Sequence, residues 1–156
     1  MKANNEHDNE SNAVNVTEVK LMYMTEIKAS DRISIRNSED AAAIFFNHWD
    51  FHTIEHIEEV KMLLLNRANK VLGVVNLSKG GSCGSIIDTK VVLQYAIKAH
   101  AHAVILAHNH PSGNLEASEA DINITQRLKE VLKMVDVQLL DHLILTKDQE
   151  YKTIDF

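Results

Sequence analysis

The chain has 156 residues, 45% hydrophobic and 24% charged, with 16 Lys and Arg against 22 Asp and Glu, for a formal net charge of −6. This length suits one domain with a sizeable core, and an acidic chain without a basic run disfavours nonspecific binding to nucleic-acid phosphates. No apolar run approaches the roughly 20 residues that span a bilayer, the polar, acidic start is no secretory signal, and the one cysteine, Cys83, has no partner for an internal disulfide, so a cytoplasmic protein is expected.

Residues 1–18 are rich in Asn, Glu, Asp and Ser and read as a disordered acidic tail. Residues 19–30 read as an extended arm or strand, and residues 31–156 as the folded domain. Ser38 before Glu39 and Asp40 predicts a helix start with Ser38 as N-cap. Ala42, Ile44, Phe45 and Trp49 supply its apolar stripe. Met62–Leu65 and Val71–Leu77 predict a hairpin around the polar turn Asn66-Arg67-Ala68-Asn69-Lys70. Gly80, Gly81 and Gly84 mark a loop, in which Cys83 reads as small and structural. Asp88 or Thr89 caps the next helix, with Leu93, Ala96, Ile97 and His100 on one face. Ala103-Val104-Ile105-Leu106-Ala107 has no polar residue and predicts a central strand buried on both sides. Ser118 predicts another N-cap, with Asp121 at the third position and Ile124, Leu128, Val131, Leu132 and Val135 on the apolar face. Val137–Thr146 and Tyr151–Ile154 predict a final hairpin. The sum is an α/β domain with a mixed sheet.

The densest chemistry follows the central strand. His108 and His110 flank Asn109, so extended backbone points both rings the same way. Pro111, the only proline, holds its own φ and pushes His110 toward extended geometry. Two imidazoles and the Asp121 carboxylate are a usual set for three positions on Zn²⁺, leaving the fourth for water. Ser118, one turn from Asp121, can cap its helix and can also offer a donor to a developing oxyanion. Water on zinc has a pKa near about 7 and needs a base to take its proton. Glu55, Glu58 and Glu59 precede the first strand. In extended backbone Glu58 shares a face with Val60, Met62 and Leu64, and Glu59 with Lys61. The more apolar face gives Glu58 a slight preference over Glu59.

The run His108-Asn109-His110-Pro111-Ser112-Gly113, followed by Ser118-Glu119-Ala120-Asp121, resembles the JAMM motif of JAB/MPN metalloprotease domains: His-x-His, seven residues, Ser, two residues, Asp. That run and Leu140-Asp141-His142-Leu143-Ile144 are similar to the RadC-like branch in particular, as is Glu58-Glu59-Val60-Lys61-Met62-Leu63-Leu64-Leu65-Asn66, in which the spacing back from Asn66 selects Glu58 as the motif glutamate that the resemblance implies. The resemblance runs from about residue 31 to the C-terminus. It implies a JAB/MPN fold, bound Zn²⁺, and hydrolysis of a peptide or isopeptide bond in an unidentified protein or peptide substrate. By the same resemblance, His108, His110 and Asp121 would ligate the ion, Glu58 would activate the water, and Ser118 would steady the tetrahedral intermediate. Ala117 stands where that branch usually has proline, and Thr89-Lys90 where it usually has Pro-Arg. Full-length RadC-like proteins carry a helix-hairpin-helix region, whereas here a short acidic tail precedes the domain, which weakens transfer of the branch's DNA-repair label. The alternative is a scaffold or DNA-repair-associated binding module that holds a metal without turnover.

His142 reads as a core histidine, with partnership to the site as the other reading, and His100 and His102 as packing or surface residues. A zinc deaminase would need a Pro-Cys-x-x-Cys element, which one cysteine cannot provide.

Overall fold

A computed structural model describes residues 16–80 and 87–156. Gly81, Cys83 and Gly84, and residues 1–15 of the expected tail, lie outside the described residues. Five strands form one sheet: β1 (Glu59–Leu65), β2 (Val71–Lys79), β3 (Ala103–Asn109), β4 (Gln138–Leu145) and β5 (Tyr151–Thr153), in the order β2-β1-β3-β4-β5. Among the described residues three α-helices, α1 (Ser38–Asn47), α2 (Thr89–Lys98) and α3 (Glu119–Lys133), pack on it.

The sheet is mixed. β1 pairs antiparallel with β2 and β3, β4 pairs antiparallel with β5, and only β3–β4 is parallel. Parallel neighbours need a crossover, and α3 supplies it. The β1–β2 turn is tied by Asn66 Oδ1, which accepts from the backbone N–H of Ala68 and of Lys70, both at 2.9 Å.

Both faces of the sheet are covered, so β1 and β3 are buried throughout. On one face Leu63, Leu65, Ile105, Ala107, Leu143 and Leu145 pack against Ala41, Ala42, Ile44 and Phe45 of α1 and against Trp49 and Ile54. On the other, Met62, Leu64, Val104 and Leu106 pack against Val92 and Ala96 of α2 and Leu128 and Leu132 of α3. Each fully buried large aliphatic side chain stabilises by roughly 1.5–3 kcal/mol, and the alternation along β3 sends successive residues to opposite cores.

Several expectations need correction. The N-cap of α1 is Asn37, whose side chain accepts from Asp40 N–H; Ser38 is the first helical residue, and its hydroxyl donates to Asp141 at 2.5 Å. Asn and Ser cap about equally well, and the long-range bond to β4 claims the serine. α1 also ends at Asn47, before Trp49. The strand starting at Met62 begins earlier, at Glu59, because pairing with Lys79 and the Glu59–Lys61 ion pair shelter polar side chains there. The buried stripe of α2 is Val92 and Ala96; Ile97 is exposed and His100 lies beyond the helix with φ +52°. On α3, Thr125 is buried, while Val135 lies beyond the helix's end at Lys133 and is exposed. Of the two readings for residues 19–30, the arm describes residues 19–28, which are exposed and form no strand, with the Tyr23 hydroxyl donating to Leu72 O at 2.7 Å; Ala29–Asp31 is instead a short 3-10 turn. Among the described residues, no helix is long and apolar enough to cross a membrane.

Candidate metal centre

The central strand delivers its histidines to one place by alternation. Val104, Leu106 and His108 share the face covered by α2 and α3, while Ile105, Ala107 and Asn109 face the other core. The ladder with β1 ends at the pair Val60–His108. Continuing that register sets Glu58 across from His110 and on the same face, and Glu59 across from Asn109 on the opposite face. The following helix brings Asp121 over the strand end.

The three side chains converge. His108 Nε2 lies 3.0 Å from His110 Nε2 and 3.5 Å from Asp121 Oδ1, and His110 Nε2 lies 3.7 Å from Asp121 Oδ2. Four ligands about 2.0 Å from a tetrahedral ion would be separated by about 3.3 Å; the two imidazole nitrogens approach that spacing, and one ligand atom from each of the three residues lies within 4.8 Å of the others. Among the described residues, this is the one group of three or more His, Cys, Asp or Glu arranged to hold a metal ion.

Proton order favours a cation at that point. The Thr125 hydroxyl, fully buried, donates its one hydrogen to Asp121 O at 2.5 Å, so toward His142 Nδ1, 2.7 Å away, it can only accept. His142 therefore carries its hydrogen on Nδ1 and accepts at Nε2 from His108 Nδ1, 2.8 Å away. Burial holds both rings neutral, pushing His108 down to about 4 and His142, which also faces His108, down to about 3. A neutral His108 with its hydrogen on Nδ1 presents a bare lone pair at Nε2. His110 Nδ1 lies 2.6 Å from Asn114 O, a carbonyl that only accepts, so neutral His110 also presents a bare Nε2. Two lone pairs 3.0 Å apart need a proton or a metal ion between them. The Asp121 carboxylate favours the proton and raises the pKa of His110 above its usual value, against burial. An ion bound there would replace that proton. The donor set fits Zn²⁺, with nitrogen and carboxylate ligands and the second imidazole nitrogens engaged by protein acceptors.

Asp121 serves its helix and faces the histidines at once. Ser118 caps α3: its Oγ accepts from Asp121 N–H at 3.1 Å, while Asp121 Oδ2 accepts from Ser118 N–H at 2.8 Å and from the Ser118 hydroxyl at 2.6 Å. This capping box fixes the rotamer that turns Oδ1 to His108. Burial would raise the Asp121 pKa, but the contacts of His110, Ser118 and His108 outweigh it and hold the carboxyl well below the usual range. The Ser118 hydroxyl is thus engaged with Asp121, and its route to a substrate oxygen runs through release from that carboxylate.

The two candidate glutamates part company. Glu58 lines a cleft of about 300 Å³ together with Val60, His108, Asp121, Ile124 and His142. Its charge favours the protonated form of His110. Glu59 points into the opposite face, where Lys61 and Lys79 each lie 3.1 Å from its carboxylate. Burial opposes its ionisation, yet the bonds to Lys79 and Lys61 win and lower its pKa. Glu59 is the more buried of the two, but it is Glu58 that lies on the face of the histidines. Glu55 is half exposed and pairs with Lys147.

Sequence reasoning placed the ligand candidates but undervalued His142 and passed over Thr125. The available signal was a histidine at an inward position of an otherwise apolar strand. Its tie to Thr125, 17 residues away, appears only when α3 lies over β4.

Comparison with known proteins agrees with the geometry. A family model described as a RadC-like JAB domain matches residues 35–154. The chain is 44% identical over 98 residues to a UPF0758 protein of Flavobacterium johnsoniae, covering 63% of this chain and 43% of that one. It is 42% identical over 94 residues to a UPF0758 protein of Porphyromonas gingivalis, covering 60% and 41%. It is 35% identical over 133 residues to a UPF0758 protein of Clostridium kluyveri, covering 81% and 57%. The chain thus spans about half the length of these relatives. With the family model covering most of the chain and the mixed sheet and His-His-Asp group in place, the chain belongs to the RadC-like JAB domain family.

Proposed function

We propose that this chain is a Zn²⁺-dependent hydrolase of amide bonds, of metallopeptidase or isopeptidase type. One observation carries the reading: two imidazole lone pairs and a carboxylate oxygen converge on one point, with a second carboxylate, Glu58, in the same cleft. His108, His110 and Asp121 would hold the Zn²⁺, which when bound would supply a Lewis acid for the substrate carbonyl and a water acidic enough to be deprotonated near neutral pH.

The chain's own groups do the rest. Glu58 accepts the water proton on its carboxylate and passes it to the departing amine nitrogen. Ser118, turning its hydroxyl from Asp121 Oδ2, donates to the carbonyl oxygen as negative charge builds there. His142 and Thr125 hold His108 with Nε2 unprotonated and aimed inward. Val60 and Ile124 give the cleft an apolar wall, with Arg127 beside it. The substrate is a protein or peptide, and the acidic total charge supports no role for nucleic acid.

Metal analysis of purified protein tests the site. About one zinc per chain is expected in wild type and a matching loss in His108→Ala. Hydrolysis of model peptides and isopeptides tests the reaction: turnover by wild type should vanish in Glu58→Ala while zinc content persists. Turnover that survives Glu58→Ala refutes the base. A zinc-loaded chain that hydrolyses no amide in such a panel supports the scaffold alternative.

A further inference from the structure

The residue between the two histidine ligands has work of its own. Asn109 is fully buried and its side chain faces away from the metal centre. Its Oδ1 accepts from Glu59 N–H at 2.7 Å, and its Nδ2 donates to Ile57 O at 2.9 Å and to Ile54 O at 2.6 Å. Two of these partners, Ile57 O and Glu59 N–H, bracket Glu58 in the chain. The β1–β3 ladder stops at Val60–His108, short of Glu58. Beyond that point the Asn109 carboxamide takes the place of ladder partners. From the other side Glu58 O accepts from Gly80 N–H at 2.8 Å.

We infer that Asn109 is a positioning residue for Glu58: its side chain locks the peptide units on both sides of that glutamate, so the base is held at a set place relative to the flanking ligands His108 and His110. A buried polar residue could serve stability alone, but an apolar residue facing the core like Ala107 would suffice for packing. Asn has both the acceptor and the two donors that an N–H, a C=O and a second C=O require, and all three are used. Because the clamp and both ligands sit on one rigid strand, base and metal keep a common frame, as catalytic geometry demands.

This inference rests on the proposed metal-dependent reading. The test uses the full chain, Co²⁺ as the probe, and glutamate carrying ¹³C in its carboxyl group. Glu58→Gln identifies the Glu58 resonance, whose Co²⁺-induced paramagnetic shift falls steeply with distance from the ion. In Asn109→Ala the shift should drop by more than half, while Co²⁺ affinity, measured by competition with a chelator, stays at the wild-type value. Asn109→Asp keeps the acceptor for Glu59 N–H but loses donors, so its shift should fall between the two; it also decides the matter should Asn109→Ala not fold. An unchanged shift in the folded variant overturns the inference and leaves the metal site standing. Parallel loss of affinity and shift also overturns it, because Asn109 would then act through the ligands. Failure of wild type to bind Co²⁺ removes the metal reading itself, and this inference with it.

Discussion

The hydrogen-bond chain behind His108 makes a sharp prediction at Thr125. Thr125→Val keeps the shape of the buried side chain and removes only the hydroxyl that accepts from His142 Nδ1 at 2.7 Å. Asp121 O keeps its helical backbone partner, so the orphan is His142 Nδ1–H, on a ring that is 1% exposed. Leaving it unpaired costs about 1–3 kcal/mol. The pair can escape by moving the hydrogen to His142 Nε2, which then donates to His108 Nδ1 and forces the His108 hydrogen onto Nε2, the atom facing Asp121 and His110. Metal binding must then reverse that tautomer. Losing such a partner behind a ligating histidine typically weakens metal affinity about 10–100-fold, or about 1.4–2.7 kcal/mol. The assay is competition for Zn²⁺ between the protein and a chromogenic chelator at neutral pH. Thr125→Ser, which restores the hydroxyl, should restore affinity. Wild-type affinity in Thr125→Val would refute the claim that this hydroxyl sets the His108 tautomer.

Further outcomes follow from the same geometry. A Cβ on Gly80 would lie 2.5 Å from Ile57 Cγ2 and 3.1 Å from Glu58 O, so Gly80→Ala should displace the segment carrying Glu58 and destabilise by about 1–3 kcal/mol in urea unfolding; wild-type stability would contradict the close approach. His108 and His142 are held below their usual 6.5, so the folded chain binds fewer protons than the unfolded one as pH falls below that value, and stability should fall with it, by up to about 1.4 kcal/mol per pH unit for each ring. His110, with a raised pKa, opposes this: its contribution is present at low pH and is lost as pH rises through its folded value. Urea unfolding of metal-free protein between about pH 7 and pH 5 checks the balance, with a shallower dependence expected in His142→Phe. Lys61→Met should leave Glu59 with Lys79 as its remaining cation and raise the pH midpoint of acid unfolding, since the lowered Glu59 pKa stabilises above the usual carboxylate range and is lost as pH falls through its folded value; circular dichroism against pH reads it. Leu128→Ala, at a fully buried position against Val104 and Leu106, should cost about 2–5 kcal/mol by urea unfolding.

Much of the site was legible in the chain because it is local. His108 and His110 lie two residues apart on a strand, so backbone alternation alone puts both rings on one face. Ser118 and Asp121 are three apart at a helix start, where a capping box needs nothing from the rest of the protein. The strand Ala103–Asn109 announces itself by the unbroken apolar run Ala103–Ala107, and α3 by its period. Partition of Glu58 and Glu59 between opposite faces is likewise set by alternation.

Other features depend on contacts between segments far apart in sequence. Which sheet face meets the metal centre follows from α2 and α3 packing on one side and α1 on the other. Asn37, not Ser38, caps α1 because Asp141, 103 residues from Ser38, claims the serine hydroxyl. Glu59 is buried safely only because Lys79, on the paired strand, meets it beside Lys61. His142, Thr125 and Asn109 gain their roles from partners 17 to 55 residues away. Spacing along a chain determines which side of a strand or helix a residue occupies; only packing determines what it meets there. Buried hydrogen bonds, which must find partners or cost stability, are therefore settled by the tertiary fold.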